Sequence, residues 1–357
     1  MGKRVGNLMP VISSFDNLLD AYHDAAAGKR YRDEVLAYGW RLEANLFRLQ
    51  HELQTGTYRP SQYREFTVTE PKKRIVMALP FRDRVAQWAI YRVLNPIIDR
   101  SLIEDTYACR QNKGAHAALD RLQKWLQHAD RSAQESGREW YALKMDIAKY
   151  FYRIDHQALN QMLSRVTKDH RLLELLSHII GHGGPFGIPL DAGHGSPTLH
   201  GIGMPIGNLT SQMFANLYLS GLDHHLKDHL GVKYYLRYMD DMIILADSKP
   251  YLHQLHAEVE TYLAGIGLNL NSKTSIRPVR DGVAFVGYRN WATHRRLRKS
   301  AMRQMTRRMT TIGNGLTNGT LDFENVRPVI ASYLGITRHF NSYYYRLKLA
   351  EHFPGNQ

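Results

Sequence analysis

The chain has 357 residues and a formal charge of +14, from 47 Lys and Arg against 33 Asp and Glu, which favours a polyanionic partner such as nucleic acid. The single cysteine, Cys109, excludes an internal disulfide, and no apolar run approaches the roughly 18 to 20 residues needed to cross a bilayer. Because no signal-peptide core follows Met1, we expect a soluble, cytoplasmic protein. The length of the chain permits two or three subdomains.

The N-terminal region is predicted to be helical, because leucines recur there at helical spacing before Gly56. They are Leu42, Leu46, Leu49 and Leu53. Residues 63–79 then alternate between polar and apolar side chains around Pro71, which predicts a β-hairpin. The basic side chains of Lys73 and Arg74 just past its turn indicate either a solvated tip or a tip that closes over phosphates.

A helix is expected from residue 83 to residue 94, ended near Pro96. Arg110 and Lys113 follow in a basic segment, where they either contact phosphates or belong to a surface loop. Cys109 has no activating partner nearby and is expected to be a small buried residue. The polar stretch 130–139 is the best candidate for a junction between subdomains.

Acidic residues in two distant segments are the strongest chemical signal. An apolar strand ends in Asp146, and two further strands, Tyr234–Met239 and Met242–Ala246, flank Asp240 and Asp241 in a predicted hairpin with the acids at its tip. Adjacent carboxylates repel each other, so this arrangement favours a bound hard cation such as magnesium or manganese. A solvated turn is the alternative, and the apolar flanks argue against it.

The Gly-, Pro- and His-rich segment 181–203 is predicted to be a loop, and its histidines lack the spacing of zinc ligands. A long apolar helix is expected to follow it through Leu222. The chain from Trp291 is predicted to be helical, with a methionine stripe inside and arginines outside, a break at 313–315, and a C-terminal aromatic segment in its core.

Tyr238-Met239-Asp240-Asp241 resembles the Y-x-D-D box of reverse transcriptases, and segments from residue 63 to residue 288 match that family in order. The resemblance implies an α+β right-hand polymerase fold with fingers, a palm of antiparallel sheet plus helices, and a helical thumb. The corresponding boundaries are 1–60 for an N-terminal helical extension, 61–137 for the fingers, 138–289 for the palm and 290–357 for the thumb. No further nuclease module is expected.

The resemblance also assigns roles to individual residues. It implies that Asp146, Asp240 and Asp241 hold two Mg²⁺ ions, or Mn²⁺, and that Lys273 protonates the leaving pyrophosphate. The residues assigned to the deoxynucleoside triphosphate are Lys73, Arg74, Phe151, Ile206, Gly207 and Gln212. The residues assigned to template RNA and cDNA are Arg110, Lys113, Gly287, Arg298, Lys299, Arg303 and Arg307.

One segment departs from the commonest family pattern. Ile206-Gly207 and Ser211-Gln212 stand where Gln-Gly and Ser-Pro are usual, and this form resembles reverse transcriptases of diversity-generating retroelements, which copy a template RNA with frequent errors at adenines. That resemblance implies a small basic accessory variability protein, an oligomeric helical barrel, as a partner. The alternatives are a retron or group II intron-like enzyme and a non-catalytic RNA-binding protein of polymerase fold.

Overall fold

The computed structural model of the protein describes residues 4–68, 74–182 and 201–350. The chain forms two compact units, each built from three chain segments. The first unit comprises Met1–Arg110, Ile147–Lys233 and Ala257–Ser272, and the second comprises Gln111–Asp146, Tyr234–His256 and Lys273–Gln357. The contiguous domain boundaries inferred from the sequence remain a prediction.

The regular elements of the described residues are helices and short antiparallel strands. The helices are α1 (Met9–Ile12), α2 (Phe15–Ala26), α3 (Asp33–Trp40), α4 (Leu42–Thr55), α5 (Phe81–Asp99), α6 (Ala115–Ser136), α7 (Tyr150–Arg153), α8 (His156–Val166), α9 (His170–Gly181), α10 (Leu209–Tyr218), α11 (Ser220–His224), α12 (Lys249–Gly265), α13 (Lys299–Thr317), α14 (Phe323–Thr337) and α15 (Tyr343–Ala350). The strands are β1 (Arg64–Val68), β2 (Arg74–Ala78), β3 (Tyr141–Asp146), β4 (Tyr235–Tyr238), β5 (Asp241–Ala246), β6 (Ser275–Pro278), β7 (Val283–Phe285), β8 (Tyr288–Asn290) and β9 (Arg295–Leu297). The predicted α+β class is confirmed.

The first unit contains the N-terminal helices and the predicted hairpin. In the leucine stripe of α4, Leu46, Leu49 and Leu53 are buried and Leu42 is half-buried. Gly56 ends that helix with a positive φ of 73°. Strands β1 and β2 pair antiparallel from Arg64↔Ala78 to Val68↔Arg74, so the hairpin is confirmed. The expected end of α5 near Pro96 is wrong, because α5 continues to Asp99, and Leu94 and Ile98 on either side of the proline are buried.

The helix expected to run through Leu222 is interrupted. Helix α10 ends at Tyr218, α11 follows from Ser220, and residues His225–His229 form a π-helical turn. Within this segment Lys227 pairs with the buried Asp105 at 2.9 Å. Local sequence pattern does not signal a π-helical turn, since apolar spacing barely differs from that of an α-helix.

The second unit is organised around a four-stranded antiparallel sheet with strand order β4-β5-β3-β6. Its central strands are lined by fully buried apolar residues, among them Leu143, Met145, Ile243 and Ile244. A separate three-stranded sheet follows the order β7-β8-β9. Helix α6 runs through most of the polar stretch that was expected to be a junction, and Gly137 ends it with a φ of 67°.

Helix α13 confirms the methionine stripe, because Met305 and Met309 are buried while Arg303, Arg307 and Arg308 are exposed. The break expected at residues 313–315 is wrong, since α13 continues to Thr317. A side chain at position 315 would collide with Leu321, so glycine here permits close packing of α13 against the loop that follows it. No described helix is long and apolar enough to cross a membrane.

The C-terminal aromatic segment is only partly core. Phe340 is buried, whereas Tyr343 and Tyr344 are 63% and 83% exposed, so the expectation of an all-core segment is wrong for these two tyrosines. Tyr345 is half-buried and its hydroxyl lies 3.0 Å from that of Thr306 on α13. Tyr345 therefore faces the protein, whereas its neighbours Tyr343 and Tyr344 face solvent.

Candidate active site

Asp146 and Asp241 lie directly opposite each other in the four-stranded sheet. Asp146 is the last residue of β3 and Asp241 the first residue of β5, and the antiparallel register pairs them. Directly opposed residues point to the same face of a sheet, with Cβ atoms about 4.5–5.5 Å apart. Asp240 precedes Asp241 in the chain, so acidic residues from two distant segments meet at one end of one sheet, within the second unit.

A tight turn carries Asp240. Tyr238 pairs with Asp241, which leaves Met239 and Asp240 as the connecting residues, so Asp241 belongs to the strand and not to the tip that the sequence predicted. Met239 has a positive φ of 57°, as expected at the first position of the turns that close two-residue hairpins. Arg237, which is fully buried, donates a hydrogen bond from Nη1 to the Met239 carbonyl oxygen at 2.9 Å.

A lysine lies beside the acids on the same face of the sheet. Lys144 stands two residues before Asp146 on β3, and its Nζ atom lies 3.4 Å from Oδ1 of Asp241. Sequence reasoning missed both Lys144 and Arg237. The available signal was a charged residue inside each otherwise apolar strand, where a charge is costly unless it is paired.

The donor chemistry at this end of the sheet fits a hard divalent cation, because Mg²⁺ and Mn²⁺ prefer carboxylate oxygens. Asp146 and Asp240 would hold it. Across residues 4–68, 74–182 and 201–350, no three His, Cys, Asp or Glu side chains form a preformed metal cluster. Ligation by all three predicted aspartates remains a prediction.

Lys273 is exposed and lies in the turn that leads into β6. Strand β6 pairs with β3 on the side away from β5, and the ladder reaches Lys144↔Ser275. Lys273, two residues before Ser275, therefore lies at the same end of the sheet as Asp146. Its assignment to pyrophosphate protonation remains a prediction.

The residues assigned to the nucleotide belong to the first unit. Lys73 lies outside the described residues, and Arg74 is the first residue of β2. Phe151 is half-buried on α7, and its carbonyl oxygen accepts a hydrogen bond from the Met204 amide at 2.7 Å. Gln212 is half-buried in the first turn of α10.

The segment Ile206–Gly207 lies against β2. The carbonyl oxygen of Ile206 accepts a hydrogen bond from the Met77 amide at 3.0 Å. Gly207 has a φ of 121°, and a Cβ atom on it would lie 2.9 Å from Cγ1 of Val76 and 3.0 Å from the Met77 carbonyl oxygen. Gly207, which the resemblance assigned to the nucleotide, thus lies in close contact with the protein's own strand β2.

One arginine that the resemblance assigned to nucleic acid, Arg110, has structural contacts within the protein. Arg110 donates from Nε to Asp99 Oδ1 at 2.6 Å and from Nη1 to the Ile103 carbonyl at 2.7 Å, and only 7% of its side chain is exposed. Arg295 is likewise buried and hydrogen-bonded to Asp120 at 3.0 Å. Lys113 is half-buried. Neighbouring Cys109 is exposed, which corrects the expectation of a buried thiol.

The other basic residues assigned to nucleic acid are exposed. Lys299, Arg303 and Arg307 recur every four residues on α13 and so form one stripe, preceded by Arg298. Helix α13 therefore presents a continuous basic surface, made by Lys299, Arg303 and Arg307, which we call the α13 stripe.

Gly287, also assigned to nucleic acid, has a φ of 83° in the turn between β7 and β8, and the space beside it is open.

A family model described as reverse transcriptase (RNA-dependent DNA polymerase) matches residues 68–290. Protein YkfC of Escherichia coli K12 is 25% identical over 287 residues, which span 70% of this chain and 72% of YkfC. The group II intron-encoded protein LtrA of Lactococcus lactis is 24% identical over 184 residues, 51% of this chain and 28% of LtrA.

Among solved structures, telomerase from Candida tropicalis in complex with a TWJ fragment of telomeric RNA is similar at a TM-score of 0.49 and 12% identity, over 82% of this chain and 57% of that chain. The chain thus spans just over half the length of that telomerase chain and a little over a quarter of LtrA.

Proposed function

The chain belongs to the reverse transcriptase (RNA-dependent DNA polymerase) family, and from that membership we propose that it extends a DNA strand on an RNA template by nucleotidyl transfer. The observation that carries the proposal is the direct pairing of Asp146 with Asp241, with Asp240 in the adjoining turn. Phosphoryl transfer needs electrostatic stabilisation at fixed positions more than it needs a protein nucleophile. Carboxylates held at the end of a rigid sheet supply such positions.

The aspartates and Lys273 have separate roles in the proposed reaction. Asp146 and Asp240 would hold two divalent cations, and when bound such ions activate the primer 3′-hydroxyl and stabilise the departing pyrophosphate. Lys273, exposed at the same end of the sheet, donates a proton to that pyrophosphate. Lys73 and Arg74 bind the triphosphate, and Phe151 discriminates against a 2′-hydroxyl on the incoming nucleotide.

The α13 stripe binds the template–product duplex through its phosphates. Its ammonium and guanidinium groups at Lys299, Arg303 and Arg307 are exposed and regularly spaced, which suits contact with a backbone irrespective of sequence. The net charge of +14 supports the same partner class. Deoxynucleoside triphosphates, template RNA and cDNA are thus the proposed ligands, and the cytoplasm is the proposed compartment.

The biological role we propose is mutagenic copying of a retroelement template RNA, together with a basic accessory variability protein. Ile206 and Gln212 support this role, since an apolar side chain at position 206 leaves base-pair selection more dependent on shape. A second candidate is a group II intron-like role, which the 24% identity to LtrA favours. Error frequency at template adenines distinguishes the two roles.

The test is primer extension by the purified full chain on a defined RNA with Mg²⁺. Asp240→Asn is expected to abolish synthesis and to leave RNA binding in a filter assay within about twofold, because position 240 lies outside the α13 stripe. Undiminished synthesis by this variant overturns the assignment. Sequencing the wild-type products then tests the role: errors concentrated opposite adenines support mutagenic copying, and uniformly rare errors support the second candidate.

A further inference from the structure

We propose that Lys144 is a positioning residue that neutralises Asp241, so that Asp241 acts by holding Lys144 and not by ligating a divalent cation. The proposal rests on the function proposed above and deepens it. It divides the adjacent carboxylates Asp240 and Asp241 into two roles. Asp240 would bind a cation, and Asp241 would fix the charge balance at this end of the sheet.

The register explains why these two side chains meet. Asp146 is paired with Asp241, and Lys144 is paired with Ile243, one step further along the same face. Lys144 is therefore the diagonal neighbour of Asp241, within reach of a long side chain. The distance from its Nζ atom to Oδ1 of Asp241 is 3.4 Å, and the two side chains are only 25% and 30% exposed.

The surroundings favour a fixed lysine. Ile243, directly across the ladder, is fully buried, and so is Leu236, the partner of Ile243 on the next strand. The aliphatic stem of Lys144 thus lies along an apolar row while its ammonium extends toward the acids. A charge inside a strand with buried neighbours at Leu143 and Met145 is costly unless it is paired, and Asp241 provides that pair.

The consequence is electrostatic. The directly opposed carboxylates of Asp146 and Asp241 repel each other. The ammonium of Lys144 offsets this repulsion from the side of Asp241 and leaves Asp146 in place. With Asp241 neutralised, Asp146 and Asp240 are the acids that would hold the cations. Removing Lys144 restores a third negative charge and strengthens cation binding, whereas removing Asp241 leaves an uncompensated positive charge and weakens it.

A double-mutant cycle measures this arrangement. Mn²⁺ affinity is determined by calorimetry on the full chain without nucleic acid, for the wild type, Lys144→Met, Asp241→Asn and the double variant, with Lys144→Arg as the charge-matched control. We expect Lys144→Met to bind Mn²⁺ about two- to fivefold more tightly, Asp241→Asn to bind it more weakly by a similar factor, and Lys144→Arg to match the wild type.

The double variant is decisive. If Lys144 and Asp241 only balance each other, the double variant returns to within about twofold of wild-type affinity. If Asp241 is a metal ligand, the double variant stays weaker than the wild type by more than about tenfold, and the proposal fails. An unchanged Mn²⁺ affinity of Lys144→Met together with a raised KM for the nucleotide also overturns it, since Lys144 would then contact phosphate.

Failure of this inference is separable from failure of the proposed function. Asp240→Asn in the same calorimetric assay tests whether the acids at this end of the sheet bind a cation at all. Thermal unfolding of each variant without metal confirms that it folds. Lys144→Gln replaces Lys144→Met in the cycle if the methionine variant unfolds at a lower temperature than the wild type.

Discussion

Arg237 holds the main-chain carbonyl of Met239 from a fully buried position, through a 2.9 Å hydrogen bond. Arg237 is paired with Met242 on β5, so its side chain lies on the face of the sheet opposite that of Tyr238 and Asp241. The turn that carries Asp240 is therefore fixed from behind the acids. A guanidinium suits this position because its planar N–H groups can serve several acceptors at once.

Replacing Arg237 with methionine is expected to loosen this turn. Loss of the donor leaves a carbonyl oxygen without this bond, which costs about 1–3 kcal/mol in the free energy of unfolding. Displacement of Asp240 is expected to lower the rate of primer extension about ten- to a hundredfold. Urea unfolding and single-turnover extension measure the two effects. Arg277→Met, an exposed arginine on β6, is the control, and equal behaviour of the two variants contradicts the prediction.

Gly207→Ala is expected to push the Ile206–Gly207 segment away from β2. The added methyl group would lie 2.9 Å from Val76 Cγ1, and the φ of 121° is unfavourable for alanine. We expect a loss of about 1–3 kcal/mol in thermal unfolding and partial rescue by Val76→Ala. Gly201→Ala is the control, because that glycine also has a positive φ of 81° but nothing within 4 Å. A loss equal to that of the control would show that the contact with β2 is unimportant.

Val286→Asn is expected to stabilise the protein. Val286 and Gly287 have φ values of 43° and 83° in the turn between β7 and β8, and a β-branched residue is poorly suited to positive φ. Asparagine tolerates this conformation, so the melting temperature should rise by the equivalent of about 1 kcal/mol. Val286→Thr keeps the β-branch and should give no gain. A stabilising threonine would refute the explanation.

Arg295→Met is expected to destabilise the second unit strongly. Arg295 donates to Asn290 at 3.0 Å, Asp120 at 3.0 Å and Gln123 at 3.1 Å, which links β8 and α6 to β9. Loss of these bonds should cost about 3 kcal/mol in urea unfolding. Arg296→Met is the matched control, since Arg296 is adjacent and exposed. Comparable stability of the two variants would contradict this role.

Stability should fall in mild acid because of His116. Its ring stacks on that of His339 with centroids 3.4 Å apart. Burial lowers the pKa of His116, His339 and Arg295 lower it further, and Asp120 acts in the opposite direction. The unfolded chain therefore binds this proton more readily, so the contribution is present above pH 6.5 and is lost as the pH falls through the lowered pKa.

Melting temperatures from about pH 7.5 to pH 5.5 measure this effect. His116→Gln should flatten the dependence on pH, whereas His253→Gln, exposed on α12, should leave it unchanged. A slope that is the same in all three proteins would exclude His116 as its source.

Features encoded by local pattern could be predicted from the sequence. Alternation and β-branching indicated β3, β5 and the hairpin of β1 and β2, and leucine spacing indicated α4. The meeting of Asp146 with the hairpin acids required a family resemblance as well, because nothing local specifies which strands pair.

Features that depend on side-chain contacts made only in the folded chain could not be predicted. Gly315 resembles a helix breaker until Leu321 is seen to pack against it, and Arg110 resembles a phosphate ligand until Asp99 is seen to hold it. Arg237 and Lys144 appeared as ordinary strand residues because their roles depend on cross-strand neighbours. Contacts formed in the folded chain override local propensity in each case.

The attachment of Ile206 to β2 has an implication for how copying accuracy can change. Met77 binds the main-chain oxygen of Ile206, an atom that every amino acid possesses. If residue 206 selects base pairs as we propose, exchanging its side chain leaves this main-chain anchor intact while the surface offered to the base pair changes. On that proposal, single substitutions at residue 206 could change copying accuracy without loss of the attachment to β2.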